Sequence, residues 1–84
     1  MKFQMYTSIF LYKVSTVELP EGYSESELGS YETMIQTYKD EWMEYSRRYN
    51  TMEEAIAGHL EAIQYVTRLH KEALKPEFQI RGPL

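Results

Sequence analysis

The chain has 84 residues, 43% of them hydrophobic, which suits one globular domain with a small core. It contains no cysteine, and this excludes disulfides, thiolate metal sites and cysteine nucleophiles. Its net charge is −4 and no segment is basic, so we expect no nucleic-acid binding, because a cationic surface supplies most of that affinity.

The N-terminal segment MKFQMYTSIFLYKV has an apolar run that resembles a secretory leader. Gln4, Thr7 and Ser8 interrupt the run, and no small-residue cleavage site follows it. No stretch of the chain approaches the roughly 18 apolar residues of a membrane span. We therefore expect a cytoplasmic protein that makes no membrane contact.

The first 50 residues have the composition of β-strands separated by turns. Residues 3–17 alternate β-branched and aromatic side chains, which predicts one long strand. Proline and glycine in residues 18–30 predict a long loop. Residues 31–38 and 42–49 predict two further strands, and the short link between them predicts a hairpin. The predicted sheet thus spans residues 3–49.

A helix is predicted from residue 51 to residue 75. Thr51 and Glu54 form a capping box, in which each side chain bonds a free backbone amide of the other. Pro76 predicts the end of the helix, and 76–84 is predicted to be a tail with a short extended piece. The whole chain is therefore predicted to be a single α+β domain, a three-stranded antiparallel sheet in β-β-β-α order packed on one long C-terminal helix.

Two histidines lie on the apolar face of this helix and raise the question of a metal site. His59 and His70 both face the sheet, but about 16 Å of helix rise separates them, too far to share one ion. Glu61 points to the opposite face. We therefore interpret both histidines as structural residues, each bonded to a sheet tyrosine, threonine or backbone carbonyl, and we predict no metal site.

Other signs of catalysis are missing from the sequence. The chain contains no G-x-S-x-G elbow and no glycine-rich phosphate loop, so we predict no catalytic residues, no cofactor and no enzymatic activity. Gly58 is unusual inside a helix, because it costs roughly 1 kcal/mol relative to alanine. The favoured reason is the close approach of a neighbouring segment or aromatic ring.

The predicted sheet has one helix but two apolar faces. If one face packs on the helix, the other exposes aromatic residues, and such a patch is typical of an interaction surface. The alternative is that the loop 18–30 and the tail 76–84 cover it. The predicted partner-binding residues are Tyr6, Phe10, Tyr12, Met34 and Trp42, with Arg48 as a polar rim.

Three segments of the chain are VSTV (14–17), YETMI (31–35) and RYNTMEEAIAGHLEAI (48–63). Together they resemble a family of small bacteriophage and prophage proteins that carry the pattern STVFLG…FETMVF…RYSTWEEAEAGH, and the resemblance covers residues 14–66. This chain has LPEGYSESELGS where the family has a histidine-, glycine- and proline-rich segment, and Met52 where the family has tryptophan. The resemblance implies a phage context, a bacterial host cell and a strand–strand–strand–helix plan.

These observations favour a phage-encoded protein-binding module that inhibits a host or defence protein, as anti-CRISPR and other anti-defence proteins do. We expect a host protein as partner and a homo-oligomer as a second mode of association. One alternative is an oligomeric sponge that sequesters a nucleotide signal, with tyrosines stacked on bases and Arg47 or Arg48 on phosphate. Another alternative is a phage structural or assembly accessory protein.

Overall fold

A computed structural model describes residues 2–20 and 29–81, with side chains up to Leu74, as an α+β fold. The antiparallel sheet and the C-terminal helix packed on it are confirmed, but the described residues form four strands rather than three. The strands follow each other in the order β1-β2-β3-β4, each antiparallel to the next. The elements are β1 (Gln4–Ile9), β2 (Tyr12–Glu18), β3 (Tyr31–Thr37), β4 (Trp42–Tyr49) and α1 (Met52–Arg81).

The extra strand arises because residues 3–17 fold back on themselves as a hairpin. Ile9 pairs with Tyr12, which leaves Phe10 and Leu11 as a two-residue turn. Phe10 has a φ of 54°, and a type II′ hairpin turn requires a positive φ at that position. Glycine or asparagine normally marks such a turn, and neither is present. The apolar alternation therefore continues through the turn and hides it.

The core lies between the sheet and α1. Alternation along the strands turns β-branched residues of β2 and β3 toward the helix, where they are fully buried. Small residues of α1 let the helix approach closely. The central cluster consists of Val14, Ile35, Tyr45, Ala62 and Val66.

The start of α1 follows the predicted capping box. Thr51 Oγ1 accepts a hydrogen bond from the Glu54 amide at 3.1 Å, and the Thr51 amide donates to Glu54 Oε1 at 3.2 Å. The predicted end is wrong, because the helix continues through Pro76 to Arg81. A proline removes its own amide from the ladder, but strong helix formers precede it here and the backbone continues. The predicted extended tail is therefore helical to Arg81, and 82–84 lie outside the described residues.

The helix is longer than the sheet it covers. Thirty residues span about 45 Å, whereas strands of six to eight residues span about 20–26 Å. Among the side chains of α1 that the structure describes, Val66 is the last with no exposed surface, and those from Lys71 to Leu74 are exposed. The C-terminal part of the helix thus projects beyond the sheet, and the radius of gyration is 15.9 Å, against about 12 Å for a compact chain of this length.

Part of the predicted loop 18–30 is described. Glu18 belongs to β2, and the amide of Leu19 donates to the carbonyl of Ser30 at 2.8 Å, which closes the loop at its base. Residues 21–28 lie outside the described residues.

Candidate interaction surface

The face of the sheet opposite α1 is mostly polar. Strand pairing arranges its side chains in three rows that run across the four strands. Polar outward residues are the usual pattern for an antiparallel sheet with one solvated face. The predicted contiguous aromatic patch is therefore not present on this face. The rows are Gln4, Val17, Glu32 and Arg48; Tyr6, Ser15, Met34 and Ser46; and Ser8, Lys13, Gln36 and Trp42.

The β1–β2 hairpin separates the aromatic residues that the sequence placed together. Because the turn takes up Phe10 and Leu11, Tyr12 lies on the helix side and packs against the core. Its assignment to the outer face was wrong. Tyr6 is exposed on the edge strand β1, and Met34 is half-buried at the centre of the outer face. These two residues lie in one row, with Ser15 between them.

Arg48 does not lie beside Trp42. The two residues occupy opposite ends of β4, about 20 Å apart along the strand. Arg48 Nε lies 3.3 Å from Glu32 Oε2, and Arg48 Nη1 donates to the carbonyl of Gly29 at 3.2 Å. Its described contacts therefore tie β4 to β3 and to the base of the loop, and the predicted polar rim around Trp42 is not formed by this arginine.

Four exposed apolar side chains lie at one end of the sheet, where both hairpin turns lie, with Phe10 on the helix side and Trp42 on the outer face. They are Phe10 and Leu11 in the β1–β2 turn, Tyr38 in the β3–β4 turn, and Trp42 at the start of β4. Each is between 50% and 61% exposed. The amide of Tyr38 donates to the carbonyl of Leu11 at 2.8 Å and joins the two turns. We call these four residues the turn-end patch.

Local contacts hold both turns in place. Thr37 Oγ1 accepts hydrogen bonds from the amides of Lys39 and Glu41 at 3.2 and 3.4 Å, which fixes the β3–β4 turn. Asp40 has a φ of 64° and forms an ion pair with Lys13 of β2. The hydrogen bond from Lys13 to Asp40 raises the pKa of the lysine. The turn-end patch is thus bordered by charged residues in defined positions.

The ring of Phe10 packs on α1 while half of its surface remains exposed. It stacks on His70 with 4.2 Å between ring centroids and 10° between the planes. A positive φ costs a residue other than glycine on the order of 1–3 kcal/mol, and this stacking helps to offset the cost. His70 is therefore placed by an aromatic contact rather than by the predicted hydrogen bond to the sheet.

The predicted partner-binding residues did not include Leu11 or Tyr38. When residues 3–17 are treated as one strand, the alternation puts Leu11 on the face opposite Phe10 and Tyr12. The available signal was length, since strands in globular proteins average five or six residues and fifteen is exceptional.

His59 is buried and hydrogen-bonded to threonines of the sheet, as predicted. It has no exposed surface, and its Nδ1 lies 2.7 Å from Thr16 Oγ1 and its Nε2 lies 2.9 Å from Thr7 Oγ1. In a neutral ring one nitrogen donates and the other accepts, so both threonine bonds can form. Burial lowers the pKa of His59, which favours the neutral ring. Both nitrogens have internal partners, so the imidazole is not available to a substrate.

Two cavities lie between β4 and α1. One has a volume of about 330 Å³ and is lined by Tyr49, Glu54 and Gly58 among others. The second, of about 290 Å³, is lined by Tyr45, Arg47, Glu61, Gln64, Tyr65 and Arg68. In the second cavity the guanidinium of Arg47 lies 4.5 Å from the ring centroid of Tyr45. Among the described residues, no three histidine or carboxylate side chains are grouped closely enough to hold a metal ion.

Comparison of the chain with protein-family models, with curated proteins and with solved structures gave no match. Within the described ranges, no helix combines the length and the apolar character needed to cross a membrane.

Proposed function

We propose that this chain is a protein-binding module that contacts its partner through the turn-end patch. The observation that carries the proposal is the meeting of two joined turns at which Phe10, Leu11, Tyr38 and Trp42 are each at least half exposed. Tryptophan and tyrosine are the residue types most enriched among interface hot spots. Burying these side chains against a partner would be favourable by roughly 25 cal/mol per Å² of apolar surface.

The two turns are already held in one conformation, which supports their use as a binding surface. Binding is weakened by the entropy lost when interface segments become fixed, and the contacts at Thr37, Asp40 and Tyr38 have already fixed these turns. Lys13, Lys39 and Asp40 place both signs of charge around the apolar centre, the usual arrangement of an interface rim.

The kind of target follows from the resemblance to phage and prophage proteins. We propose that the partner is a host protein, in particular a defence protein, and that the module inhibits it by occupying a functional surface. The net charge of −4 favours a target with a basic surface. Inhibition of this kind requires no catalytic group on the module.

A capture experiment with matched variants tests this proposal. The tagged wild-type chain, Trp42→Ala and Tyr6→Ala would each be incubated with bacterial host lysate, and bound proteins identified and quantified by mass spectrometry. Tyr6 is as exposed as Trp42 but lies on the outer face of β1, away from the turn-end patch. We expect one protein to be retained in stoichiometric amount by wild type and Tyr6→Ala.

Trp42→Ala should bind that protein about 30-fold more weakly, the equivalent of the 2 kcal/mol of a hot-spot residue. Because its side chain is 61% exposed, its removal should leave the thermal melt nearly unchanged. A fall of 3–5 kcal/mol in stability would instead show that Trp42 is a core residue. Equal retention by all three chains would show that the turn-end patch is not the binding surface.

A nucleotide-binding sponge is a second candidate, and the 290 Å³ cavity favours it. Arg47 and Arg68 line this cavity together with Tyr65, a combination that suits a phosphate and a stacked base. Calorimetric titration with adenine and guanine nucleotides would show saturable binding that is lost in Arg68→Gln. Arg48 lines the 330 Å³ cavity and not the 290 Å³ cavity, so the 290 Å³ cavity does not support its predicted role in phosphate binding.

A further inference from the structure

The helix α1 has two apolar stripes. The sheet covers the first, and in the second Ile63 packs against the core while Ile56, Leu60 and Leu74 are exposed. The first stripe contains Ala55, His59, Ala62 and Val66, which have no exposed surface. The second stripe, which we call the helix flank, is displaced by one residue, about 100° around the helix. The helix flank comprises Ile56, Leu60, Ile63, Thr67 and Leu74.

The helix flank is turned away from β4. The opposite side of α1 contacts that strand, since Gly58 packs against the ring of Tyr49, and Tyr65 lies 5.0 Å from Tyr45 between ring centroids. Ile56, Leu60 and Leu74 are between 38% and 53% exposed. Large side chains at this spacing form the seam of paired helices, because positions three and four residues apart share one face.

The accessible surface of the chain is large for its mass. It measures 6262 Å², whereas a folded monomer of 10.0 kDa exposes about 5,200 Å². The excess of about 1,000 Å² is comparable to the 800 Å² or so that each partner contributes to a stable interface. The exposed residues of the helix flank contribute to this surface.

Charged residues beside the helix flank indicate which kind of partner packs on it. Glu53 and Lys71 are 18 residues apart, which is five helical turns, so they lie at the same angle around the axis. Both are exposed, and neither forms an ion pair with a described residue. Each lies three residues before a flank residue, Ile56 or Leu74. A second copy of α1 running in the opposite direction would place its Lys71 against Glu53, and its Glu53 against Lys71.

We propose that the chain forms a two-fold symmetric homodimer in which the helix flanks of two copies pack antiparallel. The interface is isologous, so one surface supplies both the apolar seam and the complementary charges. The two-fold axis passes between residues 60 and 64, which brings the two copies of Leu60 close together. The helix flank lies on α1 and the turn-end patch on the hairpin turns, and the two surfaces adjoin where Phe10 stacks on His70. The dimer does not depend on the proposed partner.

Sedimentation of wild type and two single variants over a concentration series tests the dimer. Leu60→Glu places two carboxylates near the axis and should weaken association at least 100-fold while the helical circular-dichroism signal is retained. Ala57→Glu introduces the same charge on the same helix, but on the side that lines the β4 cavity. It should sediment as a dimer like wild type. A wild-type monomer at every concentration, or a dimeric Leu60→Glu, would overturn the proposal.

Charge reversal tests the antiparallel arrangement without disturbing the apolar seam. Glu53→Lys alone sets lysine against lysine at both ends and should weaken association by about tenfold. The double variant Glu53→Lys with Lys71→Glu restores both pairs and should return the dissociation constant to within about twofold of wild type. A double variant weaker than either single variant would rule out this pairing. Trp42→Ala should leave the dimer intact. If this variant were monomeric, the turn-end patch and not the helix flank would be the surface of self-association.

Discussion

At the scale of single residues, His59 is the centre of a buried polar network. Its two nitrogens reach Thr7 of β1 and Thr16 of β2, and Thr16 is hydrogen-bonded in turn to Thr33 of β3. The network therefore connects the helix to three strands through groups that have internal partners. Such a network disfavours alternative packings of the helix, because any shift would leave polar groups unpaired in the core.

Replacing His59 should lower stability in a pH-dependent way. His59→Gln loses at least one buried hydrogen bond and should cost about 1–2 kcal/mol at neutral pH. Burial lowers the pKa of His59 below its ordinary value of 6.5, so the unfolded chain binds the proton more readily. The stabilisation by the neutral ring is therefore present at neutral pH and is lost as the pH falls below about 6.5.

Urea melts of wild type and His59→Gln between pH 5 and pH 8 measure this effect. The difference in unfolding free energy between the two proteins should shrink toward acid, because only the wild type loses the stabilisation by the neutral His59 ring. A difference that stays constant over the whole range would mean that the ring is not held neutral by the fold.

At the scale of elements, Tyr49 sets the distance between β4 and the first turns of α1. Its ring occupies the space that a Cβ at position 58 would need, and its backbone occupies the space beside Gly29, which has a φ of 106°. The hydroxyl of Tyr49 is buried and has no hydrogen-bond partner among the described residues. The prediction that Gly58 marks the close approach of an aromatic ring is thus confirmed.

Whether Gly58→Ala stabilises or destabilises the fold should depend on the side chain at position 49. In the wild-type chain, Gly58→Ala gains roughly 1 kcal/mol of helix propensity but overpacks the ring at a cost of about 1–3 kcal/mol, so net destabilisation is expected. In a Tyr49→Leu background the distal ring atoms are gone, and the same change should stabilise. A double-mutant cycle by chemical denaturation gives the coupling. Equal effects of Gly58→Ala in both backgrounds would show that the ring does not cause the glycine requirement.

At the scale of the whole molecule, the turn-end patch and the helix flank lie on different elements. The sheet and the N-terminal half of α1 share the core, while the projecting helix adds surface without adding core. A domain of this size is only marginally stabilised by its own core. Dimerisation through the helix flank would bury apolar surface and add stability that depends on protein concentration.

The melting temperature should therefore rise with protein concentration in the wild type. Leu60→Glu should melt at a temperature that is independent of concentration, and below the wild type at high concentration. Scanning fluorimetry over a hundredfold range of concentration would make the comparison, with Ala57→Glu as the control. A wild-type melting temperature that does not change over this range would argue against the dimer.

Features that depend on neighbouring residues could be predicted from the sequence alone. Three such features follow from contacts or periodicities within a few residues: the capping box at Thr51, the free-energy cost of Gly58 inside a helix, and the orientation of His59 toward the sheet. The α+β class follows in the same way, since strand-like alternation gives way to helical periodicity at residue 51.

The tertiary structure decided the features that depend on distant contacts. The β1–β2 turn contains none of the residues that usually mark a hairpin, and it is supported by the stacking of Phe10 on His70, sixty residues away. That turn placed Tyr12 against the core and brought Leu11 beside Tyr38. Local patterns could show that the chain has exposed aromatic residues, but only the folded sheet determines which of them lie together, because a side chain's face depends on where its strand begins.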